Sequence, residues 1–263
     1  MTVPDSPETV EVDFVGPRHL AGGGDPAWVT VPLHRACHWS HGNEPLRPRV
    51  VLNSPDQRAE LTLAPQPRGQ WWTLHHAPDT ARPAWYASFG AQTPVELVAA
   101  VTDALTDPAT AATAPCDPYT PLQQSAWTPA RAEAGALVSP DGTVHIQRLG
   151  SPRGPGPWFF TTRLDRHRPV WQARFSEHTP THLITAFTAA LCDPKPVARI
   201  GSWYGSPSYP APTGVTVQTT DVLVTLVEAA LEERVQSLAA RRIGPPAGAS
   251  PLRQPPDKHS RRR

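Results

Sequence analysis

Lysine is nearly missing from this chain. Only Lys195 and Lys258 occur, so arginine supplies the rest of the 24 basic residues, which face 23 acidic ones. The formal net charge of +1 gives no overall pull toward nucleic acid or a membrane surface. Cysteine is scarce too. Cys37, Cys116 and Cys192 form neither a CxxC pair nor an even set. A disulfide framework is therefore not expected, and a reducing cytoplasm is the expected compartment. No run of about 18 apolar residues occurs, so no membrane-spanning helix is expected. The opening residues, MTVPDSPETVEVDF, have neither a basic start nor an apolar stretch, and no signal peptide is expected. Proline and tryptophan are plentiful by contrast, at 34 and nine residues, and the tryptophans supply area for a sizeable core.

The chain repeats itself. Residues 82–108 read RPAWYASFGAQTPVELVAAVTDALTDP and residues 168–194 read RPVWQARFSEHTPTHLITAFTAALCDP, with 14 of 27 positions identical and no gap. Upstream, Trp72 matches Trp158, SPDQ (54–57) matches SPDG (139–142), and PLHRACHW (32–39) matches PLQQSAW (121–127). Within the match Trp85, Ala87 and Phe89 alternate with variable residues, as do Trp171, Ala173 and Phe175. A shared set of period two marks the buried face of a strand. The period then changes. Thr93-Pro94 and Thr179-Pro180 read as an N-cap and first helical position. Leu97, Val101 and Leu105, matched by Leu183, Phe187 and Leu191, form a helical stripe, and Asp-Pro closes each helix. Three more strands precede these in each copy, at roughly 49–53, 58–63 and 70–76, and at 135–138, 143–149 and 157–164. Ser-Pro-Asp-Gly suits a type I turn, so both SPD motifs read as hairpin turns. Asn, another first-position turn residue, is expected to replace Ser54 or Ser139 without loss.

The expected architecture is α+β: two ββββα-like units of short antiparallel strands and a helix, in a pseudo-two-fold arrangement, plus a C-terminal helix. The expected divisions are 1–9 disordered, 10–108 N-terminal strands and first unit, 109–120 linker, 121–194 second unit, 195–218 Pro/Gly-rich loop, 219–243 helix and 244–263 disordered basic tail. VEVDFV (10–15) and AWVTVPL (27–33) read as strands, and the GGG between them as a flexible turn, since no GK[ST] or GxGxxG pattern accompanies it.

The SPD units, the P-x-W-x-A-x-F strands, the TP-started Ala/Leu helices and the N-terminal RHLAGGGDPAWVTVPL with WSHG resemble a known actinobacterial family. It is the SPDY domain family of streptomycetes, domain of unknown function 317, here in two tandem copies over roughly residues 12–195. The fourth motif position differs, with Gln57 and Gly142 in place of Tyr. The resemblance implies domain boundaries and assigns no activity.

No paired acids or nucleophile constellation stands out, so a non-enzymatic binding or adaptor module with an unknown protein partner is expected, without catalytic residues, cofactor or metal. The alternation places His145, Arg163 and Arg174 on the outer face of the second unit, beside loop residues Arg166, His167 and Arg168, and these form the expected binding surface. Two alternatives stand beside this reading. One is nucleic-acid association through Arg-rich surfaces and the RQPPDKHSRRR tail. The other is a metal-dependent enzyme using His34, Cys37, His38 and His41, which would share one face if LHRACHWSH were helical. His75 and His76, adjacent on a strand, point to opposite faces and cannot act together.

Overall fold

The structure is a computed structural model of the chain; the residues described are 8–43, 48–65, 69–80, 82–107, 116–130, 136–150, 156–164, 169–200 and 214–243. Strand β1 (Thr9–Gly16) leads through a 3-10 turn (Arg18–Leu20) to helix α1 (Ala27–Arg35). Strands β2 (Ser40–Asn43), β3 (Val50–Asn53), β4 (Ala59–Leu63), β5 (Gln70–His76) and β6 (Trp85–Gly90) follow, then α2 (Val95–Thr106). The order recurs in α3 (Tyr119–Gln124), β7 (Thr128–Pro129), β8 (Ala136–Val138), β9 (Val144–Arg148), β10 (Trp158–Arg163), β11 (Pro169–Phe175) and α4 (Thr181–Cys192). Strands β12 (Val197–Ile200) and β13 (Thr216–Leu223) and helix α5 (Val224–Ile243) complete the described chain. The fold is α+β with large antiparallel sheets. No helix among the described residues is long and apolar enough to cross a membrane.

Ten strands form one sheet in the order β2-β3-β4-β5-β6-β11-β10-β9-β8-β7, which reads outward in chain order from the β6·β11 seam in neither direction but inward in both. At the seam Ala87 faces Phe175, Ser88 faces Arg174 and Phe89 faces Ala173. Leu74 faces Ala87 and Phe160 faces Ala173; Leu61 faces Leu74 and Ile146 faces Phe160. Corresponding residues thus keep corresponding partners. The strand ranges read from the sequence hold to within a residue, because alternation is legible wherever one face is buried. Each half has one strand more than expected, β2 or β7, and a helix ahead of it.

Among the described residues the five helices all contribute to a single apolar layer on one face of this sheet. Trp72, Leu74, Trp85, Ala87, Phe89, Phe160, Trp171, Ala173 and Phe175 point into that layer and are buried. Phe187 of α4 sits at its centre, 4.7 Å from the Phe160 ring, 5.2 Å from Phe175 and 5.9 Å from Phe89. Aromatic rings from both halves therefore meet on one helix, in the edge-on and offset geometries that rings prefer.

Several expectations change. AWVTVPL is helical: Val29 and Leu33, four apart, enter the core, and the Asp25 carboxylate accepts the Ala27 N–H at 2.8 Å. A short apolar run does not separate strand from helix by period alone. The threonines of Thr93-Pro94 and Thr179-Pro180 cap nothing. The prolines hold the cap position in extended backbone, and the Thr179 hydroxyl donates to the Tyr86 carbonyl at 3.3 Å. The segment 195–218 contains β12 and the start of β13, and residues 219–223 are strand rather than helix. Eight residues of β13 pair with β1, which outweighs any local helical preference. Thr9, placed in the disordered N-terminus, begins β1; the expected tail 244–263 lies outside the described residues.

The GGG segment is a buried loop rather than a flexible turn. Arg199, itself buried, donates to the carbonyls of Ala21 (2.9 Å), Gly22 (3.1 Å) and Ala198 (2.8 Å), and pairs with both Glu96 oxygens at 2.7 and 2.9 Å. Gly23 accepts the Val95 N–H at 2.7 Å, satisfying the first amide of α2. Gly24 has φ +80°, and a Cβ there would lie 3.0 Å from Val95 and 3.1 Å from the Arg199 guanidinium. Glycine is required by close approach and backbone sign together.

Candidate functional site

The face of the ten-stranded sheet turned away from the helices carries the alternate residues. Arg174 is exposed there, at the seam, opposite Ser88 on β6 and Phe159 on β10. Its guanidinium carbon lies 5.3 Å from the Tyr86 ring centroid and 5.3 Å from that of Phe159. Such cation–π contacts are worth about 0.5–1 kcal/mol at exposed sites and hold the side chain in place. His75 extends the strip, its ring 6.0 Å from Tyr86. The strip His75, Tyr86, Arg174, Phe159 thus crosses four adjacent strands, β5, β6, β11 and β10.

The three residues expected to form the binding surface share this face but not one spot. His145 on β9 faces Thr161, and Thr161 faces Gln172 on β11, one row away from Arg174. Arg163 is four residues along β10 from Phe159, about 13 Å by strand rise. Its backbone N–H donates to Thr143 at 2.8 Å where the β10·β11 register shifts. The surface was assigned to the second unit alone. Pairing of β6 with β11 instead sets Arg174 against Tyr86 of the first unit, so its surroundings come from both. Arg166, His167 and Arg168 lie outside the described residues. The guanidinium groups of Arg163 and Arg174 have no hydrogen-bond or ion-pair partner among the described residues. Arg18, Arg58, Arg199 and Arg234, by contrast, each meet a carboxylate within 3.2 Å.

A second cluster escaped the sequence reading. Ser139 Oγ donates to Asp141 Oδ1 at 2.5 Å, and His19 Nε2 lies 2.8 Å from Asp141 Oδ2 and 2.9 Å from Thr143 Oγ1. Burial pushes the Asp141 carboxyl up, but hydrogen bonds from His19 and Ser139, the His19 charge and the Thr143 amide outweigh it. The carboxyl ends well below the usual carboxylate range. Serine, aspartate and histidine meet here in the wrong order for nucleophilic catalysis. A base must take the serine proton, whereas His19 faces the aspartate, and Ser139 Oγ accepts the Val144 N–H at 2.9 Å. The cluster ties the N-terminal segment to the second SPD turn. Nothing in the local pattern around His19 could show this, since 122 residues separate it from Asp141.

The SPD turns themselves match. Ser54 and Ser139 are buried; Ser54 Oγ accepts the Arg58 and Ala59 N–H groups, Ser139 Oγ accepts the Val144 N–H, and each donates to the aspartate two residues on. The fourth position is left-handed in both, φ 59° at Gln57 and 74° at Gly142. Both serines therefore serve the turn.

The His/Cys group is dispersed. Helix α1 ends at Arg35, so the residues never share a helical face. His34 Nδ1 bonds the Trp39 carbonyl at 2.9 Å, Cys37 is buried in the core with its thiol pushed up by that burial, His38 stands at φ 58°, and His41 lies on β2. Among the described residues no three His, Cys, Asp or Glu side chains gather around a position that could hold a metal ion. His76 stacks on Trp85 at 5.3 Å while His75 faces outward, opposite sides as the strand requires.

One family model matches the chain, that of the SPDY domain, a domain of unknown function (DUF317), over residues 53–111 and again over 138–197. Each match starts at the residue before an SPD turn and runs past the following helix, α2 or α4. No curated protein matches the chain, and no solved structure matches it.

Proposed function

Taking as premise that the chain carries two tandem SPDY domains, we propose that it is a non-enzymatic binding module, and that its partner is an acidic protein surface docked on the helix-free face of the ten-stranded sheet. In this reading the two domains are copies of one scaffold related by a pseudo-two-fold axis through the Ser88·Arg174 pair. Duplication then serves to build one wide platform with a shared seam, rather than two separate sites. The protein acts in a reducing cytoplasm, in keeping with the thiols of Cys37 and Cys192.

One observation carries the reading. At the seam Arg174 is oriented by Tyr86 and Phe159, while its N–H groups have no partner among the described residues. An arginine already held by rings loses little freedom when its planar fork meets a carboxylate, and Arg and Tyr are the residues that dominate interface energetics. Arg163 and His145 extend the positive side of the same face. The rings also favour a second reading, single-stranded nucleic acid, whose bases stack on aromatic and arginine side chains exposed on sheets.

The test is affinity capture on native lysate with the wild type and an Arg163→Glu, Arg174→Glu variant. The variant is expected to lose the captured protein while keeping the wild-type melting temperature. Unchanged capture with unchanged salt sensitivity would remove this face as the site. Capture of an oligonucleotide, with log affinity falling linearly in log salt, assigns the face to the second reading.

A further inference from the structure

Among the described residues the small sheet, order β12-β1-β13, has β13 at its edge. An edge strand offers a row of unpaired backbone groups, and proteins guard such edges with short strands, Pro or Lys. The large sheet follows that rule: its edges are β2, four residues, and β7, two residues that include Pro129. At the other edge of the small sheet β12 is also short, at four residues. Strand β13 breaks the rule. It runs eight residues, TVQTTDVL, without Pro, Lys or Arg, and Thr216–Asp221 are all exposed. Among the described residues the exposed large apolar side chains are Phe14, Leu149, Ile200, Val217 and Leu226. All but Leu149 belong to this sheet or to the helix that leaves β13 directly.

We propose that β13 pairs antiparallel with β13 of a second copy of this chain, joining two three-stranded sheets into one of six strands. The strand's own sequence selects a copy of itself. Antiparallel partners must agree in the direction of their backbone groups, so a self-pair is centred on a residue. Centred on Thr220, it sets Thr220 opposite Thr220, Thr219 opposite Asp221, Gln218 opposite Val222 and Val217 opposite Leu223. Threonine meets threonine on the axis, Val217 meets Leu223, and the two Asp221 carboxylates stay apart, all favourable cross-strand relations. Within one chain Asp221 faces Glu11 on β1, a like-charge pair, and the register centred on Thr220 adds no third carboxylate beside it.

Sedimentation velocity on the full chain across a concentration series tests this. The wild type is expected to move from one to two chains per particle. Thr220→Lys sets two ammonium groups against each other on the axis and is expected to raise the dimer dissociation constant at least tenfold, with an unchanged circular dichroism spectrum. Under oxidation Thr220→Cys is expected to form a disulfide-linked dimer, and Thr216→Cys, four residues off the axis, is not. A wild type monomeric throughout the series, a Thr220→Lys dimer as tight as wild type, or equal crosslinking at both cysteine positions each overturns the proposal. A wild type that instead captures a different protein by this edge overturns the choice of a second copy.

Discussion

Ser54 and Ser139 occupy equivalent turns but meet different neighbours beyond them, so each serves as a control for the other. Turn statistics alone allow Asn at either position. The hydroxyls, however, are buried and act as donor and acceptor at once: Ser54 Oγ accepts from Ala59 N–H at 2.8 Å and donates to Asp56 at 2.5 Å. Replacement by Ala or by Asn is expected to cost about 1–3 kcal/mol at each site, the range for stranding buried polar groups. Urea unfolding measures it, and an Asn variant as stable as wild type would show that the hydroxyl geometry is dispensable. The aspartates differ more. Asp56 is lowered chiefly by its Ser54 hydrogen bond, whereas Asp141 also holds His19 and is depressed much further. A carboxylate depressed on folding contributes stability that is fully present above its unfolded pKa, about 3.9, and is lost as pH falls through the folded value. The stability gap between wild type and Asp141→Asn should therefore be wide at neutral pH and close as pH falls below about 4. Asp56→Asn should show a smaller gap. Equal gaps for the two variants would mean that His19 adds nothing.

At the scale of elements, the duplicated strands carry tryptophans whose surroundings are not duplicated. Trp85 and Trp171 are both buried on the helix-facing side. Trp85 stacks on His76, while Trp171 donates its Nε1–H to the His19 carbonyl at 2.8 Å. Truncation to Ala is expected to cost about 3–5 kcal/mol at either position, with Trp171→Ala the larger because it also strands a buried carbonyl. A Trp85→Ala loss equal to or above that of Trp171→Ala, in guanidinium melts, would remove the carbonyl from the account. Helix α5 shows another side of element formation. Its helical character was legible, yet among its described side chains Val235 and Leu238 alone are buried. Its docking is largely polar: Arg234 donates to the Trp28 carbonyl at 2.7 Å and grips both Asp103 oxygens, and Arg242 donates to the Ala36 carbonyl at 2.9 Å. A period of 3.6 reports apolar burial, not ion pairs to distant helices.

For the molecule as a whole, the seam decides cooperativity. Phe89 of one half packs against Phe175 and Phe187 of the other, and the 17–25 segment bonds to both: Arg18 to Asp193, His19 to Asp141, Gly23 to Val95. Calorimetry is expected to give one transition whose calorimetric and van't Hoff enthalpies agree. Two resolved transitions would mean that the halves unfold independently. Much of this was readable beforehand. The repeat, the strands of each copy, the inward tryptophans and the turn role of SPD follow from period and from local backbone chemistry, which act over a few residues and leave a pattern in the chain. The joining of two sheets at Ser88·Arg174, the Arg199–Glu96 bond under the glycine loop, the His19–Asp141 tie and the strand identity of residues 216–223 left no such pattern. Each depends on partners more than 80 residues apart, whose meeting is decided by packing of the whole core. The local sequence determined what each segment could become; the tertiary structure decided which faces met, and so brought Arg174 to a seam shared by both copies.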